Sequence, residues 1–111
     1  RFDGERVHTP PELARALAAY RDAGLTAAGF PAELGGMQLP MTLVQACSAW
    51  FQAGSVAAGS YPGLTVSNCS LLLEHGTPQQ IDTWVRPMLD GRFYGTMCLS
   101  EPQAGSSLSD I

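Results

Sequence analysis

The residues best suited to chemistry run together as Ser100-Glu101-Pro102-Gln103-Ala104-Gly105-Ser106-Ser107. Pro102 fixes its own φ and holds Glu101 extended, so the chain enters this loop in a stiff, defined direction. Gly105 permits positive φ and leaves out the side chain that would block a close ligand. Ser100, Ser106 and Ser107 bring hydroxyls, and successive backbone N–H groups in such a turn can form an anion-binding concavity. A loop of this kind can hold a phosphate, a pyrophosphate or the polar edge of a flat heterocycle. It can also be a plain connection, because Ser/Gly turns are common.

Composition narrows the choice. The chain has 111 residues, enough for one small domain with its own core. Its net charge is -4, and its six cationic residues are all arginine and scattered, which argues against a nucleic-acid footprint or an anionic membrane surface. No Asp, Glu, Lys or Arg occurs from Leu34 to Leu73. A stretch of that kind is covered by more protein or lines an apolar site. It is not a membrane span, since Gln45, Ser48, Gln52, Ser55 and Asn68 interrupt it. Cys47, Cys69 and Cys98 are far apart, with no metal-ligand spacing, and read as three reduced thiols of a cytoplasmic protein. The opening "RFDGERVHTPPE" has no initiator Met and no leader character, so the chain reads as an interior piece of a longer protein.

The elements that must position the loop are helical. Thr9, Pro10 and Glu12 predict a capped helix start, with the helix running to Asp22 and Gly24 as its stop. A connection rich in Gly and Pro follows. A second helix is expected from Pro40–Thr42 to Gly54. Pro62 in "GSYPGL" predicts a break, with a third helix from Leu64 to His75. Thr77, Pro78 and Gln80 predict a capping box for a fourth helix, which Pro87 should end. Trp50, Phe51 and Trp84 at helical spacing read as core or interdomain residues. Tyr94–Leu99 is short and apolar and reads as a strand, which alone cannot satisfy its own ladder.

Several motifs stand in the order known for acyl-CoA dehydrogenases. "MCLSEPQAGSS" resembles that family's flavin loop, where a strand is followed by Thr-Glu-Pro and then x-Ala-Gly-Ser-Asp. "YRDAGLTAAGFPAELGG" and "LLLEHGTPQQIDTWVRPMLDGRFYGTMCLSEP" are similar to the segments that precede it. "SYPGLT" and "GTMCLSEPQAGS" look closest to the long-chain bacterial branch with phenylacyl- and methylmercaptopropionyl-CoA enzymes. Ser100 stands where the family usually has Thr, and Ser107 where it usually has Asp.

The resemblance implies a mostly α fold. Residues 1–92 would be the N-terminal helical domain, and residues 93–111 the first strand and flavin loop of a middle β-domain that is otherwise missing. It implies FAD as cofactor and α,β-desaturation of an acyl-CoA thioester. Met97, Leu99, Ser100, Gly105 and Ser106 would contact the FAD. Ser106, Tyr61, Gly63, Leu64 and Ser67 would lie along the substrate. No catalytic residue is expected in this chain, because the family's general-base glutamate would lie beyond Ile111. Glu101 is then an acceptor that holds its loop. No metal is implied. The expected partners are the acyl-CoA and an electron-transfer flavoprotein or similar acceptor, within a cytoplasmic bacterial homo-oligomer. Two other readings stay open: an acyl-CoA oxidase, and a non-catalytic helical interaction module that reuses the fold.

Overall fold

The computed structural model describes residues 1–107 and 109 and is mostly helical. Helix α1 spans Pro11–Asp22, α2 spans Met41–Gly54 and α3 spans Val56–His75. A continuous rod then joins α4 (Pro78–Gln80), a π-helical turn (Ile81–Val85) and α5 (Arg86–Leu89). A short 3-10 turn, Ala32–Leu34, sits in the long connection between α1 and α2.

Local chemistry explains most of these limits. Helix α1 buries Leu17 and Tyr20, the face expected of it. Its N-cap is Pro10, one residue later than expected, and no side chain caps it. Glu12 instead pairs with Arg15, so the Thr9–Glu12 capping box does not form. At the other end Gly24 takes φ 71°, the left-handed value that favours glycine. The Gly24 N–H then reaches the Arg21 carbonyl and the Leu25 N–H reaches the Tyr20 carbonyl, which is the Schellman closure.

Pro62 does not start a new helix. Helix α3 begins at Val56, capped by Ser55, whose hydroxyl accepts the Ala58 N–H at 3.2 Å. Pro62 is buried within it. Its ring costs one intrahelical hydrogen bond close to the helix start, and burial offsets that loss. Pro87 likewise does not end the last helix. The Arg86 N–H reaches back five residues to the Ile81 carbonyl, and this widened turn moves the backbone that a proline ring would otherwise strike. The Thr77–Gln80 capping box forms as expected, with both of its hydrogen bonds present.

The core lies where α3 meets the last rod and the Ala27–Leu34 connection. Ala27, Cys69, Val85, Met88 and Leu89 are buried there, with Phe30, Leu34, Leu72, Leu73 and Ile81 packed around them. Helix α2 buries none of its residues. Trp50 is 82% exposed and is therefore not part of this core, whereas Phe51 packs edge-on against Tyr20 at 4.6 Å. Trp84 is half exposed against Phe93. Among the described residues no helix is long and apolar enough to cross a membrane.

No strand forms at Tyr94–Leu99. Among the described residues no neighbouring strand supplies the segment with ladder partners. Residues 1–8 turn back on themselves through a Phe2–Val7 bridge.

Candidate functional site

Helix α3 anchors the segment that leads into the Ser/Gly loop. Thr65 is fully buried, and its hydroxyl donates to the Tyr61 carbonyl at 2.8 Å while accepting the Gly95 N–H at 3.0 Å. Three residues on, one turn along the same helix, the Asn68 amide donates to the Thr96 carbonyl at 3.1 Å. Tyr94 stands edge-on to Tyr61 with ring centres 5.7 Å apart, and burial pushes its phenol above the ordinary range. Tyr61, Leu64 and Tyr94–Thr96 thus line one open, mostly apolar hollow.

Beyond Thr96 the chain is free. Among the described residues Met97, Cys98, Leu99 and Ser100 make no backbone hydrogen bond, and the side chains of Met97 and Leu99 are exposed. The loop then closes on itself. Glu101 and Ala104 exchange both backbone hydrogen bonds, at 2.8 and 3.2 Å, around Pro102 and Gln103. Gln103 does not take positive φ, so the corner is not a type II turn. Glu101 does accept a hydrogen bond that holds the loop, through its backbone carbonyl from the Ala104 N–H. Gly105 is also not left-handed, so its value lies in leaving space rather than in its φ. A Cβ built on Gly105 would find only the Ser100 hydroxyl, at 4.0 Å. The turn therefore brings Ser100 and Gly105 side by side. Ser107 pairs with Ser109 at 3.1 Å, a local brace where a carboxylate was expected from the resemblance.

The expected substrate residues fall into two groups. Tyr61 and Leu64 share the hollow with Tyr94–Thr96. Gly63 and Ser67 lie on the opposite face of α3, where they line a separate cavity of about 340 Å³ against α1 and α2. Residues 61 and 64 follow helical spacing, as do 63 and 67, but the two pairs point apart. Ser106 and the other loop residues line neither space. The spacing alone could have separated the pairs. Thr65 and Asn68, which hold Gly95 and Thr96 ahead of the loop, were missed; their signal was two polar residues three apart on an otherwise apolar helix face.

Cys69 is buried, and burial pushes its thiol up to about 11, while Cys98 is exposed. No cluster of His, Cys, Asp and Glu among the described residues could hold a metal ion.

A helical platform that fastens Gly95 and Thr96 by two side chains of one helix defines the class: an α-helical domain that leads into a Ser/Gly loop. The chain belongs to the acyl-CoA dehydrogenase family, whose N-terminal domain model matches residues 1–92. It is 33% identical over its whole length to 3-methylmercaptopropionyl-CoA dehydrogenase of Ruegeria pomeroyi, covering 19% of that protein. Over 91% of its length it is 30% identical to acyl-CoA dehydrogenase FadE34 of Mycobacterium tuberculosis, covering 16% of that protein. Over 92% it is 29% identical to (2S)-methylsuccinyl-CoA dehydrogenase of Cereibacter sphaeroides, covering 18%. The chain thus spans less than a fifth of the length of these relatives.

Proposed function

We propose that this chain is the N-terminal helical part of an FAD-dependent acyl-CoA dehydrogenase that desaturates an acyl-CoA thioester between Cα and Cβ. The family match over residues 1–92 carries the reading. The loop residues fit a flavin by the groups they offer. The Met97–Ser100 backbone is unpaired among the described residues, the Ser100 hydroxyl has no partner there, and Gly105 leaves room beside it. Met97, Leu99 and Ser100 would hold the ring edge through backbone groups and one hydroxyl, with Gly105 and Ser106 alongside. FAD, when bound, supplies the two-electron acceptor for the desaturation.

The chain's own residues orient and exclude water. Thr65 and Asn68 fix where the loop starts. Tyr61 and Leu64 offer an apolar wall to the acyl chain, and Ser106 a hydroxyl to the thioester arm. Gly63 and Ser67, on the other face of α3, reach the acyl chain only where it wraps the helix. Residues 93–111 would begin the middle β-domain, the general-base glutamate would come from elsewhere in the protein, and electrons would pass to an electron-transfer flavoprotein or similar carrier. The setting proposed is a cytoplasmic homo-oligomer. The exposed apolar side chains of Met41, Leu43 and Trp50 on α2 fit a surface that packs against further protein.

The test is to purify the complete protein that carries this segment and add acyl-CoA thioesters without oxygen, 3-methylmercaptopropionyl-CoA among them. Bound flavin should bleach, and mass spectrometry should find a thioester lighter by two hydrogens. A protein that binds no flavin, or leaves every thioester intact, overturns the proposal. Hydrogen peroxide formed in stoichiometric amount in air would make the enzyme an oxidase.

A further inference from the structure

Three consecutive residues ahead of the Ser/Gly loop meet three residues on one face of α3. Tyr94 stands edge-on to Tyr61, the Gly95 N–H reaches the Thr65 hydroxyl at 3.0 Å, and the Thr96 carbonyl receives the Asn68 amide at 3.1 Å. Positions 61, 65 and 68 follow the i, i+4, i+7 spacing of a single helix face. Tyr94 is thus placed by the two tethers that follow it as well as by its own ring.

That placement gives the hollow an aromatic wall. Ser60, Tyr61, Leu64, Tyr94, Gly95 and Thr96 line it, and none of them is charged. The two rings stand 85° apart, and Tyr61 and Tyr94 remain 39% and 41% exposed. In an edge-to-face pair the ring that offers its edge keeps both faces free, and the other keeps one. Burial raises the Tyr94 phenol and Arg21 opposes the rise, but the Arg21 guanidinium is paired with Asp22 at 2.8 Å. A tail ending in a carboxylate would lose its hydration here with no lining cation to offset the loss.

The hollow also lies close to the proposed flavin edge. Tyr94 precedes Met97 by three residues, so at most about 11 Å of chain separates them. An acyl tail that continues past Cβ covers such a distance with several methylene groups. Resting on the proposed desaturation of an acyl-CoA, we propose that Tyr94 is a specificity-determining residue, which with Tyr61 selects an acyl tail ending in an aryl ring over a straight alkyl tail of the same length. Both tails bury apolar area. Only the aryl end gains a ring-to-ring contact, and it has fewer rotors to fix.

The test compares 5-phenylpentanoyl-CoA with octanoyl-CoA on the complete protein. The aryl-ended thioester should have a kcat/KM about fivefold higher, the scale of one aromatic contact. Tyr94→Leu should bring that ratio close to one, through KM for the aryl-ended thioester and not kcat, because the lost contact is made alike in ground and transition states. Tyr94→Phe should keep the ratio. A purely structural Tyr94 would lower both thioesters alike and leave the ratio standing. Crystals of the unaltered protein with 5-(4-bromophenyl)pentanoyl-CoA should place anomalous bromine density in the hollow beside Tyr94, a readout that holds even where Tyr94→Leu fails to fold. Both thioesters desaturated at equal kcat/KM, a ratio that Tyr94→Leu leaves unchanged, or bromine away from Tyr94 would each overturn the assignment and leave the dehydrogenase reading intact. Desaturation of neither thioester overturns that reading, and the bromine position then decides this one.

Discussion

The hydroxyl of Thr65 accepts the Gly95 N–H at 3.0 Å across thirty residues of sequence and donates to the Tyr61 carbonyl at 2.8 Å. One side chain thus bonds within its own helix and fixes the start of the segment that leads into the Ser/Gly loop. Thr65→Val keeps the volume but strands a poorly solvated N–H. An unmet buried donor costs about 1–3 kcal/mol, so the protein should lose that much stability in denaturant titration. Thr65→Ser keeps the hydroxyl and should hold the Gly95 amide against hydrogen exchange. Equal exchange in the two variants would mean that the contact does not anchor the segment.

Gly95 permits the neighbouring Asn68–Thr96 contact by having no side chain. A Cβ there would lie 2.6 Å from the Asn68 amide nitrogen and 3.0 Å from its Cγ. Gly95→Ala should push Asn68 off the Thr96 carbonyl and cost about 1–3 kcal/mol, as overpacking does. The loop would lose its second tether, so flavin retention should fall in the same variant. Asn68→Ala removes the tether without the clash and should share the flavin defect with a smaller loss of stability. Full flavin occupancy in both would detach this helix from the cofactor.

These tethers were only partly legible in the sequence. Thr77, Pro78 and Gln80 state a helix start through local chemistry alone, and the capping box forms as read. Thr9 and Glu12 carry the same pattern, yet Glu12 pairs with Arg15, because an exposed carboxylate has a charged partner one turn away. Proline misled twice for one reason. Its rule assumes a regular helix, whereas Pro62 sits near a helix start and Pro87 follows a π turn that makes room for it. The short apolar run Tyr94–Leu99 read as a strand, but a strand is a property of two segments, and among the described residues no second one pairs with it. Gly105 was read both for φ and for the space it leaves; its φ is not positive, and a Cβ there would meet only the Ser100 hydroxyl, at 4.0 Å.

The capping box offers a clean energetic check. Thr77→Ala removes the acceptor for the Gln80 N–H, at 3.3 Å, and frees the Gln80 side chain that accepts the Thr77 N–H at 2.8 Å. The loss should be about 1 kcal/mol in thermal or denaturant unfolding. Thr77→Ser should retain most of it. A neutral Thr77→Ala would mean that the rod is held by its packing against α3 alone.

Asp3 responds to acid. Its carboxylate is pulled from an ordinary value of 3.8 down to about 2, chiefly by the His8 side chain and then by the backbone N–H groups of Arg6 and Glu5. A depressed carboxylate favours the folded turn above its ordinary value, and the benefit is lost as pH falls through the lowered one. The Phe2–Val7 pairing should therefore be intact above pH 3.8 and open as pH falls towards about 2. Amide shifts of Glu5 and Arg6 followed by NMR should titrate with Asp3 in that window, and Asp3→Asn should abolish the transition. Shifts that instead follow the bulk carboxylates would show the turn to be held by its backbone bridge.

Cys69 responds in the opposite direction. Burial in the α3 core raises its thiol from 9.0 to about 11, so the fold favours the protonated form. A raised value gives stability that is whole below the ordinary one and is lost as pH rises towards the raised one. Cys69 should then resist N-ethylmaleimide at pH 8 until the protein unfolds, because the thiolate is the nucleophile and the site is closed. Peptide mapping after a short pulse reads this directly, and denaturant should bring modification in step with loss of helical signal. Cys69→Ala should remove that part of the alkaline instability and cost some packing, since the residue is fully buried against Val85 and Leu89. Rapid labelling of Cys69 in the folded protein would show that α3 opens locally, and with it the platform that fixes Gly95 and Thr96.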